Sequence, residues 1–246
     1  MDLSKIREKK AESAQFMVDE ITHVIKTFEK RGPGEKGETQ AVEYMAKQLE
    51  GLCDEVKVEP FDVYPASFMG WIYISITLFL AAMGLYFVSP IITVVLIILA
   101  MALMLGQFVL YRQVIDKLFK KKTSHNITAV KKPTGEVKKR IFLNGHPDAA
   151  WEWTFNYYLG GVGFISHFLI SVVGVVYVFI VSILAIISNA TTGFIPASTI
   201  NILGFVSLAF VPFLIGMYFL WNEKRVVDGA NDNLTGCYMG IAVLKA

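Results

Sequence analysis

Apolar residues recur at helical spacing through residues 3–30, where Phe16, Met17, Ile21, Val24, Ile25 and Phe28 share a face and charged residues fill the gaps. This pattern predicts an amphipathic helix that covers a sheet. Lys5, Arg7, Lys9 and Lys10 open a second reading, docking at a membrane surface. Another helix is expected over residues 38–50, with Ala41, Val42, Met45, Ala46 and Leu49 on one face and Gly51 as its stop. The period then shortens to two: Val56, Val58 and Phe61 mark a strand over residues 54–63. After it the charges vanish. No Asp, Glu, Lys or Arg occurs from Val63 to Tyr111, or from Trp153 to Asn222. Each run is long enough for two spans of about 20 residues. Because only a helix satisfies its own backbone in lipid, four helical spans are expected, at 69–88, 91–110, 161–187 and 200–221. Ser89-Pro90 supplies the first tight turn, and Trp71, Tyr73, Tyr111 and Arg112 suit interfacial anchors. Between the apolar runs, residues 126–130 and 137–143 read as strands of a hairpin turned on Pro133 and Gly135. Residues 234–245 read as a last helix, with Leu234, Tyr238, Ile241 and Leu244 in phase.

Composition agrees with a membrane protein. Mean hydropathy is +0.50, and 18% of residues are charged, against roughly 25% in ordinary soluble domains. The amino terminus is charged and lacks the apolar segment of a signal peptide. The expected organisation is therefore five parts. Residues 1–66, 112–158 and 222–246 are water-facing pieces of one domain, and residues 67–111 and 159–221 are two transmembrane hairpins. Even-numbered insertions return the chain to one side. Residues 112–140 carry ten Lys or Arg against Asp116 and Glu136, while both short hairpin turns are free of positive charge. The positive-inside rule makes the water-facing side cytoplasmic. A basic run directly after a span suits anionic lipid, at about 1 kcal/mol per charge near the surface, and argues against nucleic acid. Cys53 and Cys237 fall in the water-facing parts and read as reduced thiols. The sequons at Asn126, Asn189 and Asn233 carry little weight, since the first and third fall on the cytoplasmic side.

Chemistry concentrates in two stretches. The first, IFLNGHPD from Ile141 to Asp148, breaks an apolar run at Gly145 and delivers His146 and Asp148 just beyond it. An imidazole is a good zinc ligand, and a carboxylate two residues on can fix its tautomer. The second, DGANDNLTG from Asp228 to Gly236, places Asp232 in a glycine-bracketed turn ahead of the last helix. Gly32, Gly34 and Gly37 spell a dinucleotide-like glycine pattern, but a helix precedes them and Pro33 lies inside. They read as a helix-to-helix turn. Glu152 is a candidate contact for a substrate amine. His167 sits inside the third span, where a neutral, hydrogen-bonded role is expected.

GHPD followed by GANDN-x-Thr-Gly resembles the co-catalytic dizinc aminopeptidase family, whose relatives include glutamate carboxypeptidase and glutaminyl cyclase. The resemblance implies an α/β, zinc-exopeptidase-like mixed sheet with flanking helices, here interrupted by the two transmembrane hairpins. It implies two zinc ions, with His146 a metal ligand, Asp148 the supporting catalytic carboxylate and Asp232 the bridge between metals. It implies hydrolysis of a peptide or amino-acyl substrate near a free amino terminus. Family members often have a cis peptide after the bridging aspartate, and Asp232-Asn233 matches that position. The family further requires a Glu-Glu pair, an acidic ligand and a last histidine. The chain has no Glu-Glu and ten residues after Gly236, so the resemblance implies that the second half of the site lies beyond Ala246. Two alternatives stay open: a catalytically inactive peptidase-like scaffold or receptor, and a transporter or channel subunit. The last expects ionisable residues within spans, where only His167 occurs.

Overall fold

The structure is a computed structural model that describes residues 9–191 and 193–245. The chain divides into two compact units. One comprises the described parts of Met1–Pro65, Lys121–Glu152 and Glu223–Ala246; the other comprises Ala66–Lys120 and Trp153–Asn222. The three polar pieces gather into one unit, while residues 112–120 and 153–158 fall in the other.

In the polar unit, α1 (Lys10–Thr27) and α2 (Lys36–Glu50) precede β1 (Glu55–Val63). The part of the first expected helix at residues 3–8, with Lys5 and Arg7, lies outside the described residues. Two features set the turn between the helices. Gly34 adopts φ +66°, and a Cβ on Gly37 would lie 2.2 Å from the Glu29 carbonyl oxygen. The chain returns as β2 (Lys122–Val130), antiparallel to β1 from Glu55 opposite Val130 to Val63 opposite Lys122. The helix α7 (Thr235–Lys245) closes the unit. Apolar faces of α1, α2 and α7 meet in one core of Val24, Ala41, Met45, Leu49, Leu234, Tyr238 and Ile241, with Val56 and Ile127 of the sheet packed against it. The helical periodicity read in the sequence is therefore the burial pattern of these helices.

The strand expected over residues 137–143 does not form. No ladder partner reaches it among the described residues, and Ile141 and Phe142 are 61% and 87% exposed. All nine residues of β2 pair with β1, and Asp54 extends that pairing at the far end. The Asp54 amide donates to the Val130 carbonyl at 2.9 Å, and the Asp54 carboxylate accepts the Lys132 amide at 2.6 Å. Beyond β2 the chain passes Pro133 and Gly135 without folding 137–143 back onto the other edge of β2. A second small sheet pairs β3 (Trp151–Glu152) with β4 (Asn222–Val226).

The apolar unit holds α3 (Ser67–Leu85), α4 (Pro90–Val109), α5 (Thr154–Ala190) and α6 (Ala197–Phe219), each long and apolar enough to cross a membrane. The third begins at Thr154 rather than Gly161, with a break at Gly160, where φ is 66°. Hydroxyls inside this unit donate to neighbouring carbonyls, as lipid demands. Thr93 donates to Ala82 at 3.0 Å, Tyr86 to Ile200 at 2.9 Å and Tyr177 to Leu203 at 3.0 Å. His167 lies between Phe155 and Phe213, with centroids at 4.6 and 5.6 Å. Its Nε2 is buried without a partner among the described residues, so the hydrogen bond expected of it does not form at that nitrogen.

Candidate metal centre

Three short segments of the polar unit converge: the turn after α1, the GHPD segment and the DGANDN turn. Gly145 lets the second and third touch. A Cβ there would lie 2.5 Å from the backbone nitrogen of Cys237 and 2.8 Å from the Gly236 carbonyl carbon. Only a bare Cα permits that approach. Gly229 adopts φ +57°, and a Cβ on it would meet Ala149 at 2.7 Å. Beyond it, residues Ala230–Leu234 make a wide turn in which Asp232 and Asn233 leave helical backbone angles. The Asn233 side-chain oxygen accepts the Gly236 amide at 3.0 Å, and the Thr235 hydroxyl donates to the Asn231 carbonyl at 2.7 Å. Leu234, fully buried, pins the turn to the core. The Asp232–Asn233 peptide is cis, at the position where the resemblance puts such a bond.

This packing brings together the three residues read as site residues. The His146 Nδ1 lies 3.2 Å from an Asp148 carboxylate oxygen, and the His146 Nε2 lies 3.2 Å from an Asp232 carboxylate oxygen. The ring is thus held between two carboxylates from segments far apart in sequence. A proton on Nδ1 donates to Asp148 and leaves Nε2 as a lone pair. That lone pair then faces a carboxylate oxygen, two acceptors at contact. Either a second proton on the ring or a cation between them relieves the repulsion. Zinc fits the gap: with Zn–N and Zn–O near 2.0–2.1 Å, a tetrahedral edge is about 3.3 Å. The donor set, one imidazole and one carboxylate with a carboxylate behind the imidazole, suits zinc as well. Among the described residues no group of three or more ligating side chains is assembled.

Arg31, at the start of the turn between α1 and α2, is a central member of this arrangement. It is 3% exposed. Its Nε donates to the Pro147 carbonyl at 2.8 Å, and its Nη2 donates to the Asp228 carbonyl at 2.6 Å and to that of Gly229 at 3.3 Å. Its own carbonyl accepts the Ala149 amide at 2.7 Å. Burial lowers its pKa from the usual range, against the raising influence of Asp228, Cys237 and Asp148. Lys30 adds an exposed ion pair to the Asp228 carboxylate. Periodicity carried no trace of this role; a lone arginine ahead of Gly-Pro was the available cue.

Glu38 of α2 is also buried, accepting the Ser124 hydroxyl and the Gly34 amide. Burial raises its pKa above the ordinary carboxylate value, opposed by those two hydrogen bonds. Burial also pushes the Cys237 thiol up to about 11. Glu152 does not present a free carboxylate to a substrate amine. It is buried and accepts Arg225 Nη1 at 3.1 and 3.2 Å. Comparison with known protein families, with curated proteins and with solved structures finds no match to this chain.

Proposed function

We propose that the polar unit is the metal-binding part of a membrane-anchored, zinc-dependent, aminopeptidase-type metallopeptidase of the α/β zinc-exopeptidase kind. One observation carries the reading: His146 lies between Asp148 and Asp232, with its Nε2 and the Asp232 oxygen spaced as two ligands of one zinc ion. The sequence resemblance named these three residues, and the spacing agrees with it.

In this reading His146 through Nε2 and Asp232 through its carboxylate hold the metal. Asp148 fixes the ring's tautomer and orientation from behind. Asp232, with 80% of its side chain exposed, would be the carboxylate shared with a second ion that the resemblance implies. Zinc would supply Lewis acidity toward a substrate carbonyl and a more acidic bound water. Zinc sites take four ligands, so hydrolysis needs further donors and a general base beyond these residues. The four apolar helices anchor the unit, the basic segment between residues 112 and 140 meets anionic lipid, and the polar side is cytoplasmic by the distribution of Lys and Arg.

The test is hydrolysis of amino-acyl naphthylamides by the detergent-solubilised full-length protein. Chelation should abolish it, added zinc should restore it, and His146→Ala should not be restored. Activity indifferent to chelation and to His146→Ala would overturn the reading. A protein that binds zinc at His146 yet hydrolyses no amide would favour the inactive scaffold.

A further inference from the structure

We infer that Arg31 is a positioning residue that sets the His146–Asp232 separation by holding the two ligand-bearing segments to one guanidinium. The inference rests on the metal reading above only for its consequence; the clamp itself is a matter of hydrogen bonds. Arg31 reaches both segments at once. To the His-x-Asp side it donates from Nε to the carbonyl of Pro147, between His146 and Asp148, and accepts from the amide of Ala149. To the other side it donates from Nη2 to the carbonyls of Asp228 and Gly229, which open the turn that carries Asp232. A guanidinium offers its donors in one rigid plane, so fixing it on one segment orients the other.

Burial makes the arrangement demanding. A buried cation with unmet donors is costly. Three carbonyls are therefore held at the positions the fork dictates, and the backbones that bear His146 and Asp232 follow. No other side chain among the described contacts bridges these two segments through the backbone of both. Lys30 touches only Asp228, through an exposed ion pair. Lysine in place of Arg31 would keep the charge but gather its donors on one compact ammonium with a flexible stem, so it would not hold the two segments at the spacing of the planar fork.

The experiment uses the full chain in micelles and reads backbone amide exchange by mass spectrometry without metal, then zinc affinity by chelator competition. Arg31→Lys should speed exchange at least tenfold at the hydrogen-bonded amides of the two segments, Ala149 on one side and Val227 and Leu234 on the other. Residues 36–50 and 122–130 should keep wild-type rates. Arg31→Ala should do the same more strongly; if it loosens the whole unit, Arg31→Lys decides. Lys30→Ala should exchange as wild type. Zinc affinity should fall 10–100-fold in Arg31→Lys, the range for a supporting residue, and stay unchanged in Lys30→Ala. Wild-type exchange in both segments of Arg31→Lys, or faster exchange with unaltered zinc affinity, would overturn the inference. So would an equal effect from Lys30→Ala. A wild-type chain that binds no zinc would remove the metal reading, while the exchange measurement still judges the clamp.

Discussion

Gly145→Ala probes the contact that brings the two ligand segments together. The added Cβ would lie 2.5 Å from the Cys237 backbone nitrogen and 2.8 Å from the Gly236 carbonyl carbon, where ordinary contact begins near 3.4 Å. Both obstacles are backbone atoms, so no side chain can swing away. The segments must part by up to roughly 1 Å, and overpacking of this kind costs about 1–3 kcal/mol. His146 is the next residue, so its Nε2 moves away from an Asp232 oxygen now at 3.2 Å. A tetrahedral zinc edge is about 3.3 Å, and a gap near 4 Å no longer suits one ion. If about 2 kcal/mol falls on the metal-bound state, zinc affinity drops roughly thirtyfold. The assay is competition with a chromophoric chelator, alongside thermal unfolding followed by near-ultraviolet circular dichroism. Gly135→Ala is the control, because nothing lies within 4 Å of a Cβ there; it should match wild type in both measurements. Wild-type zinc affinity and wild-type melting in Gly145→Ala would refute the reasoning.

Four further outcomes are expected. Asp148→Asn should weaken zinc binding about 10–100-fold without unfolding the unit, since it supports the ring from behind; unchanged affinity in a chelator titration would contradict that role. Cys237, with its thiol pushed up to about 11 from 9.0, should alkylate at pH 8 about a hundredfold more slowly than an unperturbed thiol, as peptide mass spectrometry would show. The folded-state pKa of Glu38 is raised above 4.5 by burial, so the folded form binds the proton more tightly. Its contribution is therefore full at low pH and is lost as pH rises from about 4.5 through the raised value. Denaturant titrations should show stability declining over that window, with the decline reduced in Glu38→Gln. Single cysteines in a background lacking Cys53 and Cys237 should label from outside at Ser89 and Thr191 and stay unlabelled at Thr134; the reverse would invert the assigned sidedness.

The helices were legible because burial and period coincide: Val24, Met45, Leu49 and Tyr238 sit in phase and all reach one core. The four apolar helices were legible from the absence of charge alone. The strand over residues 137–143 was misread for a reason periodicity cannot express. A strand exists only with a partner, and none of the described strands pairs with it. His146, Asp148 and Asp232 were singled out from local motifs, and the structure brings the three side chains together. Arg31 was not, because its function lies in backbone carbonyls more than a hundred residues away. Glu152 was placed near the chemistry by sequence order, but its burial against Arg225 could not be read from order.

The central claim is that His146 and Asp232 share a zinc ion. X-ray absorption at the zinc edge of the full-length protein, loaded with one equivalent, tests it most directly. The account predicts a shell of N/O donors at 2.0–2.1 Å with the outer-shell scattering of imidazole, that imidazole signature disappearing in His146→Ala and zinc retention falling in Asp232→Ala. A zinc shell unaltered by both substitutions, or a wild-type protein that retains no zinc, would contradict it.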